Sequence, residues 1–354
     1  MRSLRTNKTL RTNVITYAVV VAAFVLFQCL GSAGVLSSTM KGQLVPICAY
    51  VLMALSLNLT VGILGELSLG HAGFMSVGAF AGAVTASAMQ DSVPSSALRL
   101  TVAVLVGAVL AAIVGVLIGI PVLRLNGDYL AIVTLAFGEI IKSIVNNLYI
   151  GMDANGLHAS FLNNTIVLGE GGRMILSGPM GVPGIKKTAT FAAGFILILI
   201  ALFVIFNLVN SRAGRASMAL RDNRIAAESV GINVTKYKLR AFVISAAIAG
   251  AGGALYGQAQ NAIIATKFDF NTSILILVFV VLGGMGNMLG SILAAALLTV
   301  LPELLRSLND YRMLIYAIVL ILMMLFNSAP AMVQWREQMT EKLRKTFGKE
   351  KKEG

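Results

Sequence analysis

Long apolar runs separated by short polar segments dominate the pattern of this chain. Ten such runs are each close to the ~20 residues that an α-helix needs to cross a ~30 Å hydrocarbon layer. The whole sequence is 57% hydrophobic and only 12% charged, more apolar surface than one aqueous core could bury. The pattern therefore predicts an all-α polytopic membrane protein of about ten transmembrane helices, near 14–34, 43–62, 66–89, 97–121, 128–149, 188–209, 239–260, 271–285, 288–306 and 311–327.

The distribution of basic residues predicts the orientation of these helices. With ten spans both termini share one side, and that side carries 19 of the 28 Lys and Arg residues, so it is expected to be cytoplasmic. The net charge of +13 then reflects topology rather than nucleic-acid binding. Arg306 and Arg312 would fall at an outer turn, so eight spans with half-helices near 283–290 remain an alternative. The predicted parts are a cytoplasmic N-tail (1–13), a membrane domain (14–327) with an external loop (150–187) and a cytoplasmic loop (210–238), and a charged cytoplasmic tail (328–354).

Two Gly-rich breaks interrupt the apolar runs. "GILGELSLGHAGF" (62–74) and "LGGMGNMLGS" (282–291) suit backbone that faces a cavity rather than lipid, and their positions in the two halves suggest a transport route at their interface. Ionisable groups at membrane depth need partners or water. The candidate translocation path is therefore Glu66, Ser68, His71 and Glu139. The structural alternatives are a salt bridge for Glu66, simple packing for His71, and a pair between Glu139 and Lys142, one helical turn apart.

A polar island, "RASMALRDNRIAAESVGI" (215–232), lies between two membrane-length runs. It predicts one amphipathic helix over 215–230 that Gly231 ends in a left-handed cap. Asp222 falls within the apolar arc and is expected to need a basic partner. Such a helix could lie on the membrane surface or dock into another protein. One side of it carries Arg221, Arg224 and Glu228, and the opposite arc carries Met218, Ile225, Ala226 and Val230.

Four stretches together resemble the permease subunits of ATP-binding-cassette importers for branched-chain amino acids, and the LivM type more than its shorter LivH-type companion. The resemblance covers about 44–326, with departures at Arg224, Ile225 and Glu66, where the family often has other residues. The stretches are "GRASMALRDN" followed by Ala226, Ala227 and Gly231; "LSLGHAGF" (67–74); "GDYLAIVTLAFGEII" (127–141); and "LVFVVLGGMGNMLGSILAAALLTVLPELLR" (277–306).

The resemblance implies a subunit of a bacterial plasma (inner) membrane importer. Its partners would be membrane lipid, a second, LivH-like permease that shares the translocation path, two ATPase subunits and an extracytoplasmic substrate-binding protein. The polar island would be the coupling helix that docks on an ATPase subunit. The residues implied for this coupling are Arg215, Arg221, Asp222, Ala226, Ala227, Glu228 and Gly231.

The chain itself is expected to be neither an enzyme nor a metal or cofactor protein. A phosphate-binding loop needs G-x-x-x-x-G-K-[ST], whereas Gly348–Lys349 is followed by Glu. ATP would therefore be used by partner subunits. Two distant histidines and the absence of clustered carboxylates in the sequence argue against a membrane enzyme. The alternatives are an ATP-binding-cassette permease for urea or short amides, and a proton-coupled secondary transporter that uses Glu66, His71 and Glu139.

Overall fold

The computed structural model describes residues 2–34, 37–90, 92–125, 127–153, 156–163, 166, 168–169, 172–305 and 311–328. The described chain is mostly helical and divides into two compact units, residues 1–297 and 298–354. Its α-helices are α1 (Arg2–Ser32), α2 (Ser38–Asn58), α3 (His71–Ala88), α4 (Ser96–Val122), α5 (Asp128–Asn146), α6 (Phe191–Asn210), α7 (Arg212–Asp222), α8 (Arg224–Ser229), α9 (Val234–Gly257), α10 (Phe270–Gly283), α11 (Met288–Leu304) and α12 (Arg312–Ser328).

Each of the ten predicted apolar helices coincides with one of these helices, but their number as membrane spans stays a prediction. Among the described residues, six helical stretches have the length and composition to cross a membrane, and α11 is a shorter apolar helix. The predicted orientation of the termini also stays a prediction. The six stretches are Asn13–Ser32, Ser38–Leu64, Ser96–Val122, Phe191–Asn210, Val234–Gly257 and Ala265–Gly283.

The predicted N-terminal and C-terminal tails have different outcomes in the structure. The N-tail expected over 1–13 belongs to α1, which begins at Arg2 and continues without interruption into the first apolar run. At the other end, α12 finishes at Ser328, and the charged tail expected after it lies outside the described residues, as does Arg306.

The centre of the first unit is α9, which packs against α2, α3 and α4. Small residues make this possible because lipid provides no hydrophobic drive between helices and close backbone contact must replace it. Gly78 of α3 faces the backbone of Gly250, and Gly253 faces the backbone of Met75, so closely that neither position has room for a Cβ atom. These glycines therefore allow α9 to pack tightly against α3.

A three-stranded antiparallel sheet departs from the all-α prediction. Its strands are β1 (Leu148–Asp153), β2 (Gly156–Phe161) and β3 (Arg173–Ser177), in the order β2-β1-β3. The helix predicted to reach residue 149 ends at Asn146, and the chain turns directly into β1. The sheet is tied to the helices because the Arg173 guanidinium donates to the Ser87 carbonyl oxygen at the end of α3, at 2.6 Å.

Candidate functional site

The first predicted break is present between α2 and α3. After Asn58 the helix widens into a buried π-helical turn, Leu59–Leu64, and Gly65 ends it in the left-handed region at φ 77°. The chain then has no helical structure until α3 begins at His71. The helix predicted to start at residue 66 was therefore placed too early, because Gly65 and the residues after it leave the helical conformation.

Glu66 lies in a buried ion pair with Lys238 at the start of α9. Both residues are nearly inaccessible, with 8% and 3% of their surfaces exposed. The structure thus shows the salt-bridged alternative for Glu66. Lys238 was not singled out by the sequence analysis, because it is one of several basic residues in its loop and 172 positions separate it from its partner.

His71 and Ser68 belong to a buried network between α3 and α9. The His71 ring uses both nitrogens: Nδ1 lies 3.2 Å from Ser68 Oγ, and Nε2 lies 2.9 Å from Ser245 Oγ. The Ser245 hydroxyl in turn donates to the Ser56 carbonyl oxygen at 2.7 Å and accepts from Thr60 at 2.9 Å. This arrangement is the packing alternative for His71, and it joins the first residues of α3 to the middle of α9.

The two Gly-rich breaks meet in space. The second break lies between the end of α10 and Met288, where Gly284 and Gly286 have φ values of 90° and 84°. The Gly286 N–H donates to Asn58 Oδ1 at 2.7 Å, and the Asn58 amide donates to Ser291 Oγ at 2.8 Å. Since buried amides are costly unless both ends are paired, Asn58 fixes the two breaks against each other.

Glu139 lies on α5 and forms the predicted ion pair with Lys142, with the two side chains 41% and 27% exposed. It lines a small cleft between the start of α3, α5 and the start of α10. Asp269 caps α10 by accepting from the Thr272 N–H at 3.0 Å. The cleft combines charged groups with small side chains and is lined by Leu69, Ala72, Gly73, Leu135, Gly138, Glu139, Phe268, Asp269, Phe270 and Ser273.

The polar island forms two helices rather than the single predicted one. Asn223 leaves the helical conformation (φ −155°, ψ 105°) between α7 and α8, and its side chain caps α8 by accepting from the Ala226 N–H at 3.0 Å. The prediction of one continuous helix over 215–230 was therefore wrong. Gly231 has φ 83°, which confirms the predicted left-handed end before α9 begins at Val234.

Three of the four residues of the predicted apolar arc face outward, and the fourth, Met218, is half-buried. Ile225 and Val230 are 81% and 75% exposed, and Ala226 is exposed beside them. The inward position is taken by Ala227, which packs in a small cluster with Leu220 and Val234. This pattern leaves an exposed apolar surface, here called the α8 patch and defined as Ile225, Ala226 and Val230.

The charged residues of the island pair with neighbours. Asp222 is 69% exposed and pairs with Arg221 at 3.0 Å, so its basic partner is the adjacent residue. Glu228 pairs with Arg224 at 3.1 Å, as their spacing on one helix face indicated. The Arg215 guanidinium donates to the Asn210 carbonyl oxygen at 2.8 Å and thereby holds α7 against the end of α6.

Membrane-length helices, two Gly-rich breaks in contact, and an exposed amphipathic segment between α6 and α9 are the features of a multi-pass membrane transport protein. Over residues 40–325 the chain matches the family described as the branched-chain amino acid transport system permease component, and it belongs to that family. It is accordingly a multi-pass protein of the plasma (inner) membrane.

Individual relatives agree with this family. The chain is 37% identical over 302 residues to the high-affinity branched-chain amino acid transport system permease protein LivM of Salmonella typhimurium, and equally to that of Escherichia coli; each match covers 82% of this chain and 69% of the relative. A nucleoside permease protein, NupC of Lactococcus lactis, is 25% identical over 55% of this chain and 59% of its own length. These relatives are transport permease subunits. No solved structure matches the chain.

Proposed function

We propose that this chain is the membrane-spanning permease subunit of an ATP-binding-cassette importer for leucine, isoleucine and valine. It forms the translocation path together with a second, LivH-like permease, and two separate ATPase subunits drive transport. An extracytoplasmic binding protein delivers the substrate. The observation that carries the proposal is the α8 patch, an outward-facing apolar surface on a short helix held between two membrane-length helices.

The α8 patch has the composition of a protein-docking surface. Its apolar side chains are flanked by the Arg221–Asp222 and Arg224–Glu228 pairs, and a small apolar centre with a charged rim is typical of interfaces with other proteins. A helix that only covered its own bundle would turn Ile225 and Val230 inward. Here Ala227 occupies that position instead, so the larger side chains are available to an ATPase subunit.

The translocation path is proposed to follow the cleft beside Glu139. The Glu139–Lys142 pair is partly exposed on an apolar helix, and ionisable groups at membrane depth are found facing the bundle interior, another subunit or a water-filled cavity rather than lipid. The start of α3 is stabilised by the buried contacts of Glu66, Ser68 and His71, which do not themselves line the cleft. The second permease then closes the path opposite α5.

The substrate follows from the relatives. Both LivM proteins are named for high-affinity branched-chain amino acid transport, and they match most of this chain. A proton-coupled mechanism is less favoured, because Glu66 is paired with Lys238 and both ring nitrogens of His71 have hydrogen-bond partners. The alternative is a permease for urea or short amides. The ligand held by the co-purifying binding protein distinguishes the two substrates.

Reconstitution in proteoliposomes tests this function. The chain alone should give no leucine uptake on a proton gradient, whereas the complex with its second permease, ATPase subunits and binding protein should import leucine only when ATP is supplied. Uptake by the single chain on a proton gradient would overturn the ATP-driven mechanism. A co-purifying binding protein that holds urea and not leucine would overturn the substrate.

The docking surface has its own variant. Ile225→Asp combined with Val230→Asp places two carboxylates in the α8 patch, so the ATPase subunits should no longer co-purify with the membrane subunits. Met180→Asp is the matched control, because Met180 is also 73% exposed but lies in the segment after the sheet. Unchanged co-purification of the double variant would show that the ATPase binds elsewhere.

A further inference from the structure

Two basic side chains, one at the end of α7 and one at the start of α9, contact the same few residues of the first break. From the end of α7, the Arg221 guanidinium donates to the Gly62 carbonyl oxygen at 2.7 Å. From the start of α9, the Lys238 ammonium forms the buried ion pair with Glu66. Residues 62–66, here called the break segment, therefore contact basic residues that precede and follow the α8 patch in the sequence.

The contact with Arg221 depends on the local backbone. Gly62 lies in the last turn of the π-helix, where carbonyl groups lack a donor within the helix, and Arg221 supplies that donor. The methylene groups of Arg221 lie over Gly65, so closely that a Cβ atom at Gly65 would overlap the Arg221 Cγ atom. The side chain thus contacts the break segment through both its charged end and its apolar stem.

The ion pair with Lys238 is a stiff connection. Both side chains are buried, and separating two such charges leaves each of them without compensation in a medium of low dielectric constant. The break segment is consequently expected to move together with the start of α9. Arg221 and Lys238 lie on either side of the α8 patch in the sequence, so a partner that shifts α8 displaces both attachment points.

The break segment is in turn connected to the second break, between α10 and α11. Gly62 has no room for a side chain because it lies against Asn58 and the backbone of Gly286. Asn58 itself binds Gly286 and Ser291, so the second break is attached to the same place. A continuous set of contacts leads from Arg221 and Lys238 to both breaks.

We propose that Arg221 and Lys238 are positioning residues that transmit movement of the α7–α8 segment to the break segment, and through it to the break between α10 and α11. The inference rests on the proposed function, since it needs an ATPase partner on α8. It adds to that function the two side chains through which the movement enters the membrane domain.

Two variants test the inference in the reconstituted complex. Arg221→Met keeps most of the apolar stem and removes the donor to Gly62. Glu66→Leu with Lys238→Met removes both buried charges while keeping similar volumes, and such replacements are often tolerated. In the complexes that each variant forms, leucine imported per ATP hydrolysed should fall about tenfold, within the range typical of coupling between sites, and co-purification of the ATPase subunits is measured alongside.

Matched variants separate coupling from folding. Lys236→Met alters an exposed lysine two residues before Lys238 and should leave the uptake-to-hydrolysis ratio unchanged. The conservative change Arg221→Lys retains a cationic donor and should recover part of the ratio that Arg221→Met loses. Arg221 is 39% exposed, so its variants are expected to fold and to decide the question even if the buried double variant does not.

The outcomes are distinguishable from failure of the proposed function. A wild-type ratio in Arg221→Met, with ATP-dependent uptake present in the unaltered complex, would overturn the inference and leave the function standing. Absence of ATP-dependent uptake in the unaltered complex would overturn the function itself. A reduced ratio in Arg221→Met with recovery in Arg221→Lys supports the transmission role.

Discussion

At the scale of single residues, the buried ion pair between Glu66 and Lys238 makes each charge dependent on its partner. Each is almost fully withdrawn from solvent, so each charge depends on the other. A buried ion pair is not by itself evidence of high stability, because an apolar pair of similar size often does as well. Removal of only one of the two charges, however, is expected to lower the free energy of unfolding by a measurable amount.

Lys238→Met should lower the free energy of unfolding by about 3–5 kcal/mol, because it leaves the Glu66 carboxylate buried without a partner. Adding Glu66→Leu to the same chain should restore most of the loss. Thermal unfolding midpoints of the detergent-solubilised protein measure both effects. Lys236→Met is the control and should leave the midpoint unchanged, and a double variant as unstable as the single one would contradict the explanation.

Single residues also show what the sequence could and could not predict. The Glu139–Lys142 pair was predictable, because three positions along a helix bring two side chains together. The Glu66–Lys238 pair was not, since the spacing of residues says nothing about contacts across 172 positions. The start of α5 was likewise not predictable to the residue: Gly127 with φ 59° occupies the cap position, and Asp128 is the first helical residue.

At the scale of elements, the contact between α3 and α9 depends on glycines that allow backbones to touch. Gly253→Ala should destabilise the protein, because its methyl group would overlap the Met75 backbone, which cannot move aside as a flexible side chain could. Gly42→Ala, in the open first turns of α2, is the matched control and should stabilise slightly, by about 0.5–1 kcal/mol. Equal unfolding midpoints for the two variants would contradict this packing.

The end of α8 allows a second test at this scale. Gly231→Leu places a branched side chain at φ 83°, at a cost of roughly 1–2 kcal/mol, and should weaken co-purification of the ATPase subunits while the helical bundle stays folded. Gly231→Asn is the control, because asparagine adopts this conformation more readily, and it should retain most of the binding. Normal co-purification of the ATPase subunits with the Gly231→Leu protein would show that the orientation of α8 does not affect docking.

Two elements escaped the sequence analysis for different physical reasons. The break between α7 and α8 depends on Asn223, whose side chain competes with the helix by binding a nearby backbone N–H, and whether it does so in a helical pattern depends on its surroundings. The three strands are only five or six residues long, and their pairing joins residues on either side of a Gly-rich loop. The long apolar helices were predictable because apolar runs of nearly membrane-spanning length recur many times along the chain.

For the whole molecule, the bias of Lys and Arg still predicts that the island and the sheet lie on opposite sides of the membrane. Ser229→Cys and Asn163→Cys test this in a chain whose native Cys29 and Cys48 are replaced by alanine. A membrane-impermeant thiol reagent added to intact cells should label position 163 only, and position 229 should react after permeabilisation. Labelling of position 229 from outside would reverse the proposed orientation.

The contact between Gly62 and Gly286 has an evolutionary consequence. A methyl group at position 62 would overlap the main-chain nitrogen of Gly286, and Gly286 itself has φ 84°, a backbone conformation that other residues rarely adopt. Random mutation at either position alone should therefore be purged by selection. Homologous chains are expected to retain both glycines, or to exchange the two turns together as a pair.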